Sequence, residues 1–217
     1  MSKKELVKRY VLCAVSLFVS ALGVALTKHG ELGMSPISSV SNILSLKFTQ
    51  LSLGSWLIIW NCILIAGQVI VLRRKFQPIQ LLQIPLSFLF GWFTDICMMI
   101  VEHIPADLYI VKMLMVISGI VVLGFGISLA VTANVIMNSG EAFVKAVSDV
   151  SQKQFGNMKI VFDIFCVVLS IILSMIFFDM KILGTREGTV ISALFTGFTV
   201  KFFTKATRES LEKLLTK

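Results

Sequence analysis

The sequence predicts an all-α membrane protein with six transmembrane helices arranged as two inverted three-helix repeats. Hydrophobic residues make up 56% of the chain, charged residues only 15%, and the mean hydropathy is +0.90. This balance is typical of an integral membrane protein rather than of a soluble domain. Six apolar runs of about 15 to 23 residues approach the roughly 20 residues that a helix needs to cross a bilayer. The order of the runs and of the polar connections between them repeats after about 103 residues.

Each predicted repeat contains three of the apolar runs and one long polar connection. The runs are Tyr10–Thr27, Trp56–Leu72, Ile79–Val101, Tyr109–Val131, Ile160–Phe178 and Thr189–Phe203. The first repeat covers about residues 10–101 and the second about 109–203, within a single membrane domain, 1–217. Gly23 aligns with Gly126 and, after a shift of one residue, Asn61 aligns with Asp163. Because each repeat crosses an odd number of times, the second copy is expected upside down relative to the first, as in many secondary transporters.

The connection between the first and second runs of each repeat predicts a short helix. In the first repeat, Ser35 is expected as the N-cap and Pro36 as the first helical residue. In the second repeat, Asn138 or Ser139 takes the N-cap position, and Glu141 in the first turn interacts favourably with the helix dipole. Both helices are too short to cross a bilayer, so each is either interfacial or re-entrant. In the re-entrant arrangement both N-termini point inward, where their free N–H groups suit an anionic group.

The distribution of positive charge predicts the orientation of the chain. The net charge is +8, and 15 of the 20 Lys and Arg residues fall on the side of the two termini. The positive-inside rule therefore places both termini in the cytoplasm. The tail, residues 204–217, is expected to continue as a basic helix along the inner leaflet. Membrane lipids are thus the partners that the charge predicts, and no nucleic acid partner is expected.

Polar residues in the apolar runs and at the short helices are the candidate functional residues, because such groups are costly in a bilayer. The candidate substrate-binding residues are Ser35, Asn61, Asp95, Asn138, Ser139 and Asp163. Alternatives stay open, because Ser and Asn edges also mediate helix packing, and both aspartates lie near enough to helix ends to reach headgroups or water. The sequence contains no catalytic motif and no metal-ligand spacing, so we expect neither an enzyme nor a cofactor.

Several glycine-containing motifs resemble those of the bacterial YczE/YyaS/YitT family of integral membrane proteins. The motifs are Leu22-Gly-Val-Ala-Leu26, Gly30-Glu-Leu-Gly-Met-Ser-Pro36, Gly124-Phe-Gly-Ile-Ser-Leu129 and Gly188-Thr-Val-Ile-Ser-Ala-Leu-Phe-Thr-Gly197. The resemblance covers nearly the whole chain and implies a multi-pass protein of the bacterial inner membrane. It supplies no functional residue, since that family has no settled biochemical activity.

The predicted arrangement favours a small-solute transporter or permease with one site near the midplane, framed by the two short helices. Rocking of one repeat against the other would expose that site alternately to the two sides. The alternative is a non-transporting substrate-binding or regulatory subunit that acts with a partner protein. The expected ligand is a small molecule carrying an anionic group. A homodimer is left open, because six spans make a small bundle.

Overall fold

The computed structural model describes residues 3–216, which form eight α-helices and no β-strand. The helices are α1 (Lys3–His29), α2 (Pro36–Lys47), α3 (Leu53–Leu72), α4 (Gln83–Val101), α5 (Tyr109–Ala133), α6 (Ser139–Ser151), α7 (Phe155–Phe177) and α8 (Glu187–Thr216). Two 3-10 turns, Arg73–Lys75 and Pro78–Leu82, connect α3 to α4. The all-α prediction is therefore confirmed, and Lys217 of the predicted tail lies outside the described residues.

Five helices, α1, α3, α4, α5 and α7, are long and apolar enough to cross a membrane. They correspond to the first five predicted runs, which indicates a multi-pass membrane protein. The sixth predicted run, Thr189–Phe203, lies in α8, which continues without a break into the predicted tail as a helix of 30 residues. Glu187 and Lys201 border the apolar stretch of α8, and this helix is not apolar enough to join the other five.

The centre of the bundle is the pair α1 and α5, which pack along most of their lengths. Glycines permit this close approach. A Cβ atom at Gly23 would lie 2.5 Å from the backbone nitrogen of Leu123, and one at Gly126 would lie 2.6 Å from the backbone nitrogen of Ser20. Both separations are shorter than any relaxed carbon–nitrogen contact, so the two helix backbones touch where side chains are absent.

Each short helix packs against a long helix from the other half of the chain, α2 against α7 and α6 against α3. The two short helices lie end to end along α7. Both α2 and α6 pack against α3 and α7. The C-terminus of α2 reaches the last turn of α7, where Nζ of Lys47 donates to the carbonyl of Phe177 at 3.0 Å. The C-terminus of α6, at Ser151, lies just before the first turn of α7. Their N-termini meet inside the bundle, because the side chain of Ile37 lies against Gly140.

The remaining helices complete the outer wall of the bundle. α4 packs against α1 and α3, whereas α8 packs mainly against α5 and makes no comparable contact with α7. Nζ of Lys8 donates to the carbonyl of Leu214 at 3.0 Å, so the first turns of α1 and the last turns of α8 lie at the same end of the bundle. Large apolar side chains such as Ile164 and Phe198 face outward from α7 and α8, as expected of surfaces that contact lipid.

Candidate functional site

A cavity of about 760 Å³ lies in the middle of the bundle, within the size range of small-molecule binding sites. Its walls come from α1, α3, α4, α5, α7 and α8, and the N-terminal turns of α2 and α6 both reach it. Much of the wall is apolar, with Val24, Leu57, Phe90, Leu123 and Ile127 among the lining side chains. Such a site recognises a ligand through apolar contact and a few placed polar groups.

The N-terminal turn of α2 presents backbone N–H groups without a side-chain cap. Ser35 occupies the N-cap position and Pro36 the first helical position, as the sequence predicts. The hydroxyl of Ser35 donates to Oγ of Ser38 at 3.0 Å and accepts no backbone N–H. The N–H groups of Ile37 and Ser38 have no preceding helical carbonyl to bond. This turn therefore brings free donors and partial positive charge to the cavity.

The N-terminal turn of α6 has the same geometry and is anchored to neighbouring helices. Its N-cap is Asn138, with the backbone torsions of Ser35, φ −58° and ψ 147°. Oδ1 of Asn138 accepts the N–H of Ser139 at 2.9 Å. The carbonyl of Ser139 accepts from Nε2 of Gln68 on α3 at 3.2 Å, and its hydroxyl lies 3.2 Å from Oγ of Ser87 on α4. These bonds hold the start of α6 at the cavity.

The cavity brings together five of the six candidate residues from the sequence. They are Ser35, Asn61, Asn138, Ser139 and Asp163. Asp95 lies elsewhere, against a surface depression between α3 and α4. Its Oδ1 accepts the N–H of Gly54 at 2.8 Å, and its Oδ2 accepts the hydroxyl of Ser52 at 2.5 Å. The Asp95 carboxylate therefore caps the N-terminus of α3, a structural role that explains its position on α4.

Charged side chains line the cavity on α6 and α7. Nζ of Lys159 pairs with Oδ1 of Asp163 at 2.5 Å, one helical turn away on α7. Glu141 and Lys145, one turn apart on α6, also line the cavity. Burial raises the pKa of the Glu141 carboxyl above its ordinary value, and the positive charge of Lys159 opposes this shift. Burial thus favours the neutral, protonated form of Glu141.

Two polar features of the site are not evident from the sequence. Gln68 and Gln83 form a reciprocal pair of amide hydrogen bonds, each 3.0 Å long, buried between α3 and α4. Trp60 lies beside Asn61 in the sequence and lines the same cavity, with its indole N–H buried and unpartnered. In the sequence, Trp60 is only one more aromatic residue in an apolar run. Its unused donor becomes visible once its burial is known.

Sequence similarity places the chain in a family without assigning it an activity. No curated protein and no solved structure matches the chain. A family model does match, over residues 7–205. It describes a family of unknown function, DUF6198, and because the match covers most of the chain, this protein belongs to the DUF6198 family.

Proposed function

We propose that this protein is a small-solute transporter whose binding site is the cavity between the N-termini of α2 and α6. One observation carries the proposal: both short helices begin at the same cavity and then run to opposite ends of α7. Discontinuous helices that point their N-termini at a shared central site are typical of secondary transporters. The partial positive charge at these N-termini supports an anionic group on the solute.

The proposal includes two inverted repeats, α1–α4 and α5–α8, related by an approximate twofold axis between α1 and α5. The exchanged packing supports it, since α2 lies on α7 and its counterpart α6 lies on α3. The glycine contacts support it as well. Gly23 touches the backbone of Leu123, and Gly126 touches the backbone of Ser20. Ser20 and Leu123 are related by the same offset of about 103 residues as the two glycines, so exchanging the repeats exchanges the contacts.

We further propose α8 as the sixth span and the cytoplasm as the location of both termini. The 30 residues of α8 correspond to about 45 Å of helix, longer than the hydrocarbon core. The helix begins where the N–H of Gly188 donates to the carbonyl of Leu32, at 2.7 Å, and it ends near the start of α1. An excess of Lys and Arg at that end supports a cytoplasmic orientation. In a cysteine-free background, an impermeant maleimide should label Asp107→Cys from outside the cell and Lys213→Cys only after permeabilisation.

Reconstitution in liposomes tests the transport function. Ala130 of α5 lines the cavity, and Val121 on the same helix is 38% exposed on the outer surface. We expect wild-type protein and the control variant Val121→Trp to carry an organic anion down its gradient. Ala130→Trp fills the cavity and should reduce the flux to that of protein-free liposomes. Binding without flux in wild-type protein would overturn transport in favour of the binding-subunit alternative.

A further inference from the structure

Three residues at the proposed site each carry a buried polar atom without a hydrogen-bond partner. Among the described residues, Nε1 of Trp60, Nδ2 of Asn61 and Oε2 of Glu141 are buried without a hydrogen-bond partner. All three residues line the central cavity. Trp60 is 8% exposed and Asn61 is 4% exposed. Buried polar groups in folded proteins are nearly always hydrogen-bonded, and leaving them unpaired lowers stability. The protein leaves the hydrogen-bonding capacity of these atoms unused, and a ligand in the cavity can take it up.

The hydrogen-bond donors at the site suit a negatively charged oxygen on the ligand. The indole N–H of Trp60 and the amide of Asn61 add to the uncapped N–H groups at the start of α2. A carboxylate accepts several such bonds and interacts favourably with helix N-termini. A doubly charged phosphate would need a free cation as well. Lys159 is already engaged by Asp163, and Lys145, which also lines the cavity, is an exposed residue. The buried donors therefore suit a single negative charge.

The remainder of the cavity suits an apolar group on the same ligand. The walls from α1, α3, α4 and α5 are largely apolar. On the remaining side, Ala193 and Gly197 of α8 and Ile160 of α7 line the cavity and are exposed at the surface of the bundle. Since α7 and α8 do not pack along each other, the cavity reaches the surface of the bundle there, and with α8 as the sixth span this surface would face lipid. An amphipathic solute can therefore partition into the membrane before it enters the site.

We infer that the cavity binds a monocarboxylate with an apolar aryl or alkyl body. Asn61, Trp60 and the N-terminus of α2 hold the carboxylate, and the body lies against the apolar walls. Glu141 repels a bound carboxylate less when it is protonated, and burial raises the pKa of its carboxyl, which favours that form. The inference rests on the proposed function for the location of the site and deepens it by naming the class of substrate.

Replacing Asn61 with Asp tests the charge preference. Equilibrium dialysis of radiolabelled phenylpropionate against purified protein measures the affinity without requiring transport. Asn61→Asp replaces a donor with a like charge and should weaken binding roughly tenfold or more. Asn42→Asp is the matched control, because Asn42 is also buried but lies outside the cavity and donates to the carbonyl of Gly184 at 3.3 Å. It should leave the affinity unchanged.

A second pair of variants tests the indole donor while keeping an aromatic ring. Trp60→Phe removes the unpartnered N–H and should weaken binding several-fold. Trp56→Phe is the control on the same helix, because Nε1 of Trp56 already donates to the carbonyl of Phe48 at 3.4 Å and Trp56 does not line the cavity. Its affinity should match that of wild-type protein. Equal affinities for Trp60→Phe and Trp56→Phe would contradict the assignment of Trp60.

Competing compounds test the two halves of the inference separately. Unlabelled phenylpropionate should displace the radiolabel, while phenylpropylamine, phenylpropanol, acetate and phosphate should not. Displacement by the amine or the alcohol would contradict the requirement for a negative charge on the ligand. Displacement by acetate or phosphate would contradict the requirement for an apolar body. If liposomes carry another solute but no carboxylate binds, the substrate class is wrong and the proposed function stands. If the carboxylate binds but is not carried, the substrate class stands and transport is wrong.

Discussion

Replacing Gly23 with Ala tests the close contact at the centre of the bundle. A Cβ atom at Gly23 would lie 2.5 Å from the nitrogen of Leu123 and 2.8 Å from the carbonyl oxygen of Gly119. Ordinary contact begins at 3.4 Å, so α1 and α5 must separate by about 0.9 Å. Both neighbours are backbone atoms, which cannot rotate away. Overpacking of this kind destabilises a protein by about 1–3 kcal/mol.

The same change at Gly126, which the sequence alignment pairs with Gly23, should have a similar effect. Gly126→Ala would place its Cβ 2.6 Å from the nitrogen of Ser20 and 3.0 Å from the carbonyl oxygen of Ser16. For a chain of this length, each kcal/mol shifts the melting temperature by roughly 2–4 °C. Because alanine also gains about 1 kcal/mol of helix propensity over glycine, we expect both variants to melt up to roughly 8 °C below wild type. Thermal unfolding in detergent, followed by size-exclusion chromatography, measures the shift.

A third glycine provides the control. A Cβ atom at Gly197 on α8 would meet no heavy atom within 4 Å. Since alanine is favoured over glycine inside a helix by about 1 kcal/mol, Gly197→Ala should melt at or above the wild-type temperature. The reasoning is refuted if Gly23→Ala or Gly126→Ala is as stable as Gly197→Ala. Such a result would mean that the backbones of α1 and α5 do not touch.

Three further predictions concern the polar residues Gln68, Asp95 and Glu141. Gln68→Leu leaves the amide of Gln83 buried and unpaired, so it should destabilise the protein by about 1–3 kcal/mol. The double variant Gln68→Leu/Gln83→Leu should recover part of that loss in the same unfolding assay, and a fully additive loss would contradict the pairing. Asp95→Ala removes the acceptor for Gly54 and should cost about 0.5–2 kcal/mol of stability. It should not change phenylpropionate affinity, because Asp95 lies outside the cavity. For Glu141, whose pKa is raised by burial, affinity should fall as pH rises and the carboxyl ionises, whereas Glu141→Gln should bind equally across the same pH range.

The pH prediction for Glu141 depends on the charges that face it. Lys159 and Asp163 approach from α7, and Lys145 lies one turn further along α6. The opposite charges of Lys159 and Asp163 lie in one ion pair, so the pair contributes little net repulsion to a bound carboxylate. A pH dependence that persists in Glu141→Gln would therefore assign the titration to another group. The dialysis assay distinguishes these outcomes.

Local sequence signals predict where the short helices begin. Tertiary contacts determine which polar side chains reach the cavity. The N-cap at Ser35 followed by Pro36 is found as predicted, because capping depends on neighbouring residues alone. Asn61 and Asp163, which the repeat alignment pairs, both line the central cavity. Asp95 behaves differently, because helical periodicity does not show which neighbour a polar face will meet. The orphaned donor of Trp60 likewise depends on which side chains surround it.

Because α2 packs on α7 and α6 packs on α3, the short helices can make these contacts only after the second half of the chain has been synthesised. The first four helices are synthesised before α6 and α7 exist. Until then, α2 has no α7 to lie on, and Gln68 lacks the carbonyl of Ser139. The first half alone therefore lacks these contacts, and only the second half can supply them. A chain divided between α4 and α5 should accumulate only when both fragments are produced in the same cell.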